Sequence, residues 1–117
     1  MERAHEKRMT NTNKLSDDVH EFLLYAQNDG KLYEEFVRPT EQLLEQKMEA
    51  GTYSHPRAII TWNYVVDAAA RKYVRDFSIS ESWYHRFPKS VRNMAAAEWA
   101  DQWRQEYEVR EAAQKDA

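Results

Sequence analysis

The sequence predicts an all-α fold, a compact bundle of four main helices plus a short connector helix, and three observations carry that prediction. Two glycines and three prolines in 117 residues leave few points for sharp turns, so the elements must be long. Apolar residues recur at three- and four-residue spacing through Lys31–Phe77, the period of helices with one buried face. That run is interrupted once: Gly51 supplies the left-handed residue that ends many helices, and Ser54-His55-Pro56 supplies a capping side chain and a first-turn proline.

Residues 1–14 are polar, charged and without periodicity, and are expected to form a mobile N-terminal tail. A single helical domain over 15–110 follows. Its first helix is expected to start at Ser16, with Asp17 and Asp18 in the first turn where the helix dipole favours carboxylates, and Leu15, Val19, Phe22, Leu23 and Ala26 as its apolar stripe. Asn28-Asp29-Gly30 ends it. The second segment carries Leu32, Phe36, Leu43, Leu44 and Met48 on one side, and Pro39 inside it predicts a kink or a junction of two shorter helices near Arg38. Glu41, Glu45 and Glu49 fall four apart on its other side, which reads as a solvated face.

The third helix, Arg57–Phe77, places Ile59, Trp62, Val66, Ala69, Tyr73 and Phe77 on one stripe that Ile60, Val65 and Val74 widen, and this breadth marks it as the central helix. Ala68-Ala69-Ala70 gives it a slim waist for a close neighbour. Ser78 or Ser80 is expected to start a short piece around Glu81–Arg86 that ends at Pro88. The last helix opens at Pro88-Lys89-Ser90, with Val91, Met94, Ala95, Trp99, Trp103 and Tyr107 as apolar positions. Beyond it, 111–117 has no face to bury and is expected to fray.

Composition narrows the function classes. The net charge of −3 is far from that of a general DNA-binding domain or of an acidic DNA mimic. Cysteine is absent, which excludes thiolate catalysis and disulfides and fits a reducing compartment. The opening residues lack the apolar core of a secretory signal, and no apolar run approaches a membrane span, so a cytoplasmic location is expected. His5, His20, His55 and His85 are scattered without a metal-binding spacing, and no nucleophile elbow or phosphate-cradling glycine loop occurs. No cofactor, metal or catalytic residue is assigned; His55, beside Tyr53 and Arg57, reads as a capping or surface histidine.

The combination D-G-x-L-Y, P-x-x-x-x-L, G-T-Y-x-H, W-x-Y-V-V-D-A-A-A-R-K-Y and A-A-A-E-x-A resembles small proteins encoded by tailed bacteriophages and prophages. The residues that carry it are Asp29-Gly30, Leu32-Tyr33, Pro39, Gly51-Thr52-Tyr53, His55, Trp62, Tyr64 to Tyr73 and Ala95 to Ala100, within residues 28–107. The resemblance implies an accessory protein of a phage or mobile element working in the bacterial host cytoplasm. It brings no activity or site residues with it. The segment Ser78–Pro88 and the aromatic-rich last helix depart from the pattern.

Charge is uneven: residues 54–93 hold seven basic and three acidic side chains, whereas 15–53 hold three basic and nine acidic. Arg71, Lys72, Arg75, Arg86, Lys89 and Arg92, with Trp83 and Tyr84 among them, are the predicted partner-binding residues if folding gathers them into one patch. The expected function is binding without catalysis, of a host or phage protein, with inhibition of a host defence component as one outcome and homodimerisation as another. Nucleic-acid binding through the basic-aromatic stretch 71–92 is the alternative. Internal neutralisation by Glu41–Glu49 is the third outcome, in which the stretch binds nothing.

Overall fold

The apolar stripes become a bundle of helices alone. The computed structural model describes the backbone of residues 2–116 and the side chains of residues 15–115. Its elements are α1 (Glu2–Asn28), α2 (Gly30–Leu32), a π turn (Tyr33–Val37), α3 (Arg38–Ala50), α4 (His55–Asp76), the short α5 (Trp83–Arg86) and α6 (Lys89–Asp116). Among the described residues there is no strand, and no helix is long and apolar enough to cross a membrane. Helix α1 runs through Ser16, which therefore caps nothing; the side chains of 1–14, where a mobile tail is expected, lie outside the described residues. At the other end α6 remains helical as far as Asp116.

Helices α4 and α6 form the centre. They run antiparallel, as the pairs Asp67–Arg92, Trp62–Trp99 and His55–Asp101 show. The contact is close because small side chains face it: Ala58, Ala69 and Ala70 of α4 and Ala95, Ala96 and Ala100 of α6 are all buried. The Trp62 and Trp99 rings stack between them with centroids 4.8 Å apart. Helix α1 covers this pair with Val19, Phe22, Leu23 and Ala26, and Phe22 meets Phe87 at 4.7 Å. The stripe expected for α1 is thus the stripe that packs.

In the segment containing Pro39 two helical stretches meet near Arg38, as expected: the π turn ends at Val37 and α3 begins at Arg38. A proline at this position cannot donate to the Glu35 carbonyl and its ring crowds that group. The chain accommodates it with the π turn immediately upstream, where Arg38 N–H reaches back to the Tyr33 carbonyl, and helix continues on both sides. The inserted residue shifts the buried face: Leu32, Val37 and Leu44 are buried, while Phe36 and Leu43, expected on the same stripe as Leu32, turn to solvent. Ile60 of α4, Phe77 just past its end and Met94 of α6 are also exposed, so those stripes are narrower than expected.

The two chain reversals are closed by backbone hydrogen bonds. Gly51, at φ 72°, donates to the Met48 carbonyl and Thr52 to the Lys47 carbonyl, a Schellman arrangement. The Ser54 hydroxyl makes no capping bond; its carbonyl accepts Ala58 N–H at 2.9 Å, and Pro56 sits in the first turn as expected. The same closure recurs after α4, with Ser78 donating to Arg75 and Ile79 to Val74, but there a serine holds the left-handed position at φ 52°. Ser78 therefore ends a helix rather than starting one, and Ser82 precedes α5.

These two positions should respond oppositely to substitution. No atom lies within 4 Å of a methyl group built on Gly51, so the cost of Gly51→Ala is its left-handed backbone alone, about 1–2 kcal/mol. Ser78→Gly removes the same penalty, offset by greater freedom of the unfolded chain, and is expected to stabilise by about 0.5–1 kcal/mol. Thermal unfolding should show the first variant melting below and the second a few degrees above the wild type.

Candidate functional site

A groove of about 560 Å³ lies between the Gly30–Val37 segment and α4. Lys31, Leu32, Glu35 and Phe36 form one wall and Tyr64, Asp67, Ala68, Arg71, Lys72 and Arg75 the other. Local structure sets both walls. The π turn rotates Phe36 outward, and on α4 the residues Tyr64, Ala68, Arg71 and Arg75 follow at helical spacing opposite the buried stripe. Tyr64 is 72% exposed and Phe36 39%, so two aromatic rings stand in the open beside the cations.

The three aspartates at the groove, Asp29, Asp67 and Asp76, are already engaged. Asp29 caps α2 by accepting Leu32 N–H at 2.9 Å and also binds the Lys72 ammonium at 2.9 Å. Lys72 reaches Asp76 as well, and Asp76 accepts the Tyr25 hydroxyl at 3.0 Å. Hydrogen bonds to Asp76 and then Asp29 push the Lys72 ammonium well above the usual lysine range. The Asp29 carboxyl is held low by its bond from Leu32 N–H and by Lys72, and that of Asp76 chiefly by Lys72. Burial first, and Asp76 second, push the Tyr25 phenol up to about 12. On the other flank Asp67 binds Arg92 at 2.9 Å. Among the described residues Lys31, Arg71 and Arg75 have no ion-pair partner, and Glu35 is the one carboxylate of the lining left without one.

The predicted basic residues do not gather into a single patch. Arg71, Lys72 and Arg75 line the groove, but Lys72 is taken up by its two aspartates. Arg92 is turned inward to Asp67 and to the Phe87 carbonyl. Trp83 is partly buried, with the Arg71 and Arg92 guanidinium groups each 4.8 Å from its ring centre, so it acts as a clamp inside the structure. Arg86 lies elsewhere, over Phe87 at 4.9 Å and in a small cleft with Asp18 and Glu21 of α1. Lys89 and Tyr84 are exposed, outside the groove lining. The neutralising partners of Lys72 and Arg92 are Asp29, Asp76 and Asp67, not the Glu41–Glu49 row; in that row Glu45 pairs with Arg110 of α6, and burial with Glu106 and Glu45 nearby raises the Glu41 carboxyl.

Sequence reasoning missed Lys31, Phe36 and Tyr64 as parts of the site. One signal was available: the buried pair Leu32 and Val37 are five residues apart, a spacing an α-helix does not favour and a π turn produces.

His55 is more engaged than a surface histidine. Tyr53 Oη lies 2.7 Å from Nδ1 and Asp101 Oδ1 2.7 Å from Nε2. A neutral ring satisfies both, accepting from the phenol and donating to the carboxylate. The trio ties the α3–α4 turn to α6, and burial raises the Tyr53 phenol. The shallow groove beside it is lined by Tyr53, Arg104 and Tyr107 and does not include His55. Among the described residues no group of three or more His, Cys, Asp or Glu side chains is placed to hold a metal ion. Comparison with protein-family models, with curated proteins and with solved structures gives no match.

The lysine-centred network makes a pH prediction. The depressed Asp29 and Asp76 carboxyls stabilise the fold above the ordinary carboxylate range, and that contribution is lost as pH falls through their folded values, below about pH 4. Lys72→Met should melt below the wild type at pH 7, and the gap should close on acidification below about pH 4. A gap that stays constant from pH 7 to pH 3 in thermal melts would contradict the network.

Proposed function

We propose that this chain is a non-catalytic binding protein that recognises a protein partner through the groove between the π turn and α4. The observation that carries the reading is a convergence: three cations without ion-pair partners among the described residues, Lys31, Arg71 and Arg75, line one groove with two exposed aromatic rings, Phe36 and Tyr64. Exposed aromatics beside arginines are the composition of binding hot spots, where an apolar anchor supplies area and charges supply orientation. The resemblance to small phage and prophage proteins supports a host or phage protein as the partner. A bound partner whose own working surface lies in the groove is thereby blocked, which is the form that inhibition of a host component takes in this reading.

Nucleic acid is the lesser reading. A phosphate chain calls for a continuous basic track, and here five of the six cations of the 71–92 stretch are divided between the groove, internal ion pairs and the α1 side, with Lys89 exposed apart from them. Trp83, the ring best suited to base stacking, is already covered by arginines.

The division of the arginines provides the test. Wild type, Arg71→Glu/Arg75→Glu and Arg86→Glu proteins are immobilised and exposed to bacterial lysate, and captured proteins are identified by mass spectrometry. The wild type and the Arg86→Glu variant should retain the same partner, and the double variant should lose it at least tenfold. Equal capture by all three removes the groove from the function; salt-sensitive capture of RNA or DNA with no protein replaces this reading by the alternative.

A further inference from the structure

The groove also specifies the chemistry of what fills it. Resting on the protein-binding reading, we propose that the occupant is a partner segment in which two or more carboxylates flank an aromatic or branched apolar side chain. Three features fit this occupant.

The first is the charge left after internal pairing. Asp67 stands one helical turn before Arg71 and would be its natural i,i+4 partner, yet its Oδ1 is held by Arg92 at 2.9 Å. Asp76, adjacent to Arg75, is held by Lys72 and Tyr25. The fold thus withdraws the nearby carboxylates and leaves Arg71 and Arg75 to accept charge from outside. As i,i+4 neighbours their Cβ atoms stand about 5–6 Å apart, a separation matched by carboxylates one helical turn apart in the partner. Lys31 lies on the opposite wall, and Glu35, the one unpaired carboxylate of the lining, disfavours an acidic segment less than the three cations favour it.

The second feature is preorganisation. The Arg71 guanidinium rests 4.8 Å from the Trp83 ring centre, and Trp83 is steadied in turn by Arg92. A guanidinium held by a cation–π contact loses less freedom on binding than a free one. The third is the apolar floor. Leu32, Phe36, Tyr64 and Ala68 are the least polar members of the lining, which gives an apolar anchor a seat in the same groove as the cations. A bare polyanion would leave that seat empty, and a purely apolar segment would leave three charges without partners.

The test uses a random peptide-display library panned on the immobilised full chain, since the partner's identity is not required. Enriched peptides should combine at least two Asp or Glu residues with Phe, Tyr, Trp, Leu or Ile within about one turn. Their affinity should fall at least tenfold on Arg71→Glu/Arg75→Glu and on Tyr64→Ala, and stay within twofold on Arg86→Glu. Circular dichroism verifies that each variant is folded; all four positions lie outside the buried core, so folding is expected to survive. Enrichment of basic or uncharged peptides, no enrichment at all, or acidic peptides indifferent to the groove variants would each overturn the proposal. Displacement of the enriched peptides by oligothymidylate at equal concentration would overturn it in favour of a nucleic-acid occupant. The two readings fail separately: a lysate partner lost on Arg71→Glu/Arg75→Glu but bound through a non-acidic segment overturns only the segment's chemistry, whereas capture indifferent to the groove variants overturns the binding reading itself.

Discussion

The Trp62 and Trp99 rings lie 4.8 Å apart and 20° from parallel at the crossing of α4 and α6, and the positions of the remaining elements follow from this contact. Neither helix could approach so closely without the alanines around the stack, Ala58, Ala69 and Ala70 on one side and Ala95, Ala96 and Ala100 on the other. The stack has a cost. Trp62 is fully buried and its indole N–H has no acceptor among the described residues, a loss on the order of 1–3 kcal/mol. Removing about 150–250 Å² of aromatic surface from water contributes roughly 4–6 kcal/mol, so burial outweighs the unsatisfied donor. Around this centre α1 supplies Phe22 against Phe87 and Tyr25 edge-on to Tyr73, which closes the core on the side away from the groove.

The charge left in the groove is an outcome of which carboxylates meet which cations. Lys72 and Arg92 fall in the same basic stretch as Arg71 and Arg75, but they point at Asp29, Asp76 and Asp67 and become part of the framework. The lysine network joins α1, the start of α2 and the end of α4 through Tyr25, Asp29 and Asp76. The arginine pair joins α4 to α6 and carries Trp83 between Arg92 and Arg71. Because these contacts hold the walls of the groove, the exposed arginines stand on a fixed base. The π turn makes the complementary contribution: a local answer to Pro39 turns Phe36 from the core to the groove.

Much of the architecture was legible because it is set locally. The stripe Val19, Phe22, Leu23 and Ala26, the chain reversal at Gly51 and the aromatic face of α6 through Trp99 and Trp103 follow from helical period and from the φ that glycine alone adopts cheaply. The helix start at Ser16 and the cap at Ser54 were misread because a serine's capping preference is weak beside continuation of the helix or a backbone bond that already closes the turn. The exposed side of α4 at Ile60 was misread because a wide stripe is consistent with several orientations, and neighbours choose among them.

The sequence by itself determined an all-helical chain, the places where it reverses, and the concentration of basic and aromatic residues over 71–92. Tertiary structure alone decided which of those residues remain available. Asp29 lies 43 positions from Lys72, and Asp67 lies 25 from Arg92, so no periodicity links the partners. An ion pair depends on distance in space, which the order of residues along a helix does not supply. Lys72 and Arg92 are neutralised, and Arg71 and Arg75 have no ion-pair partner among the described residues, because of where α1, α2 and α6 come to rest against α4.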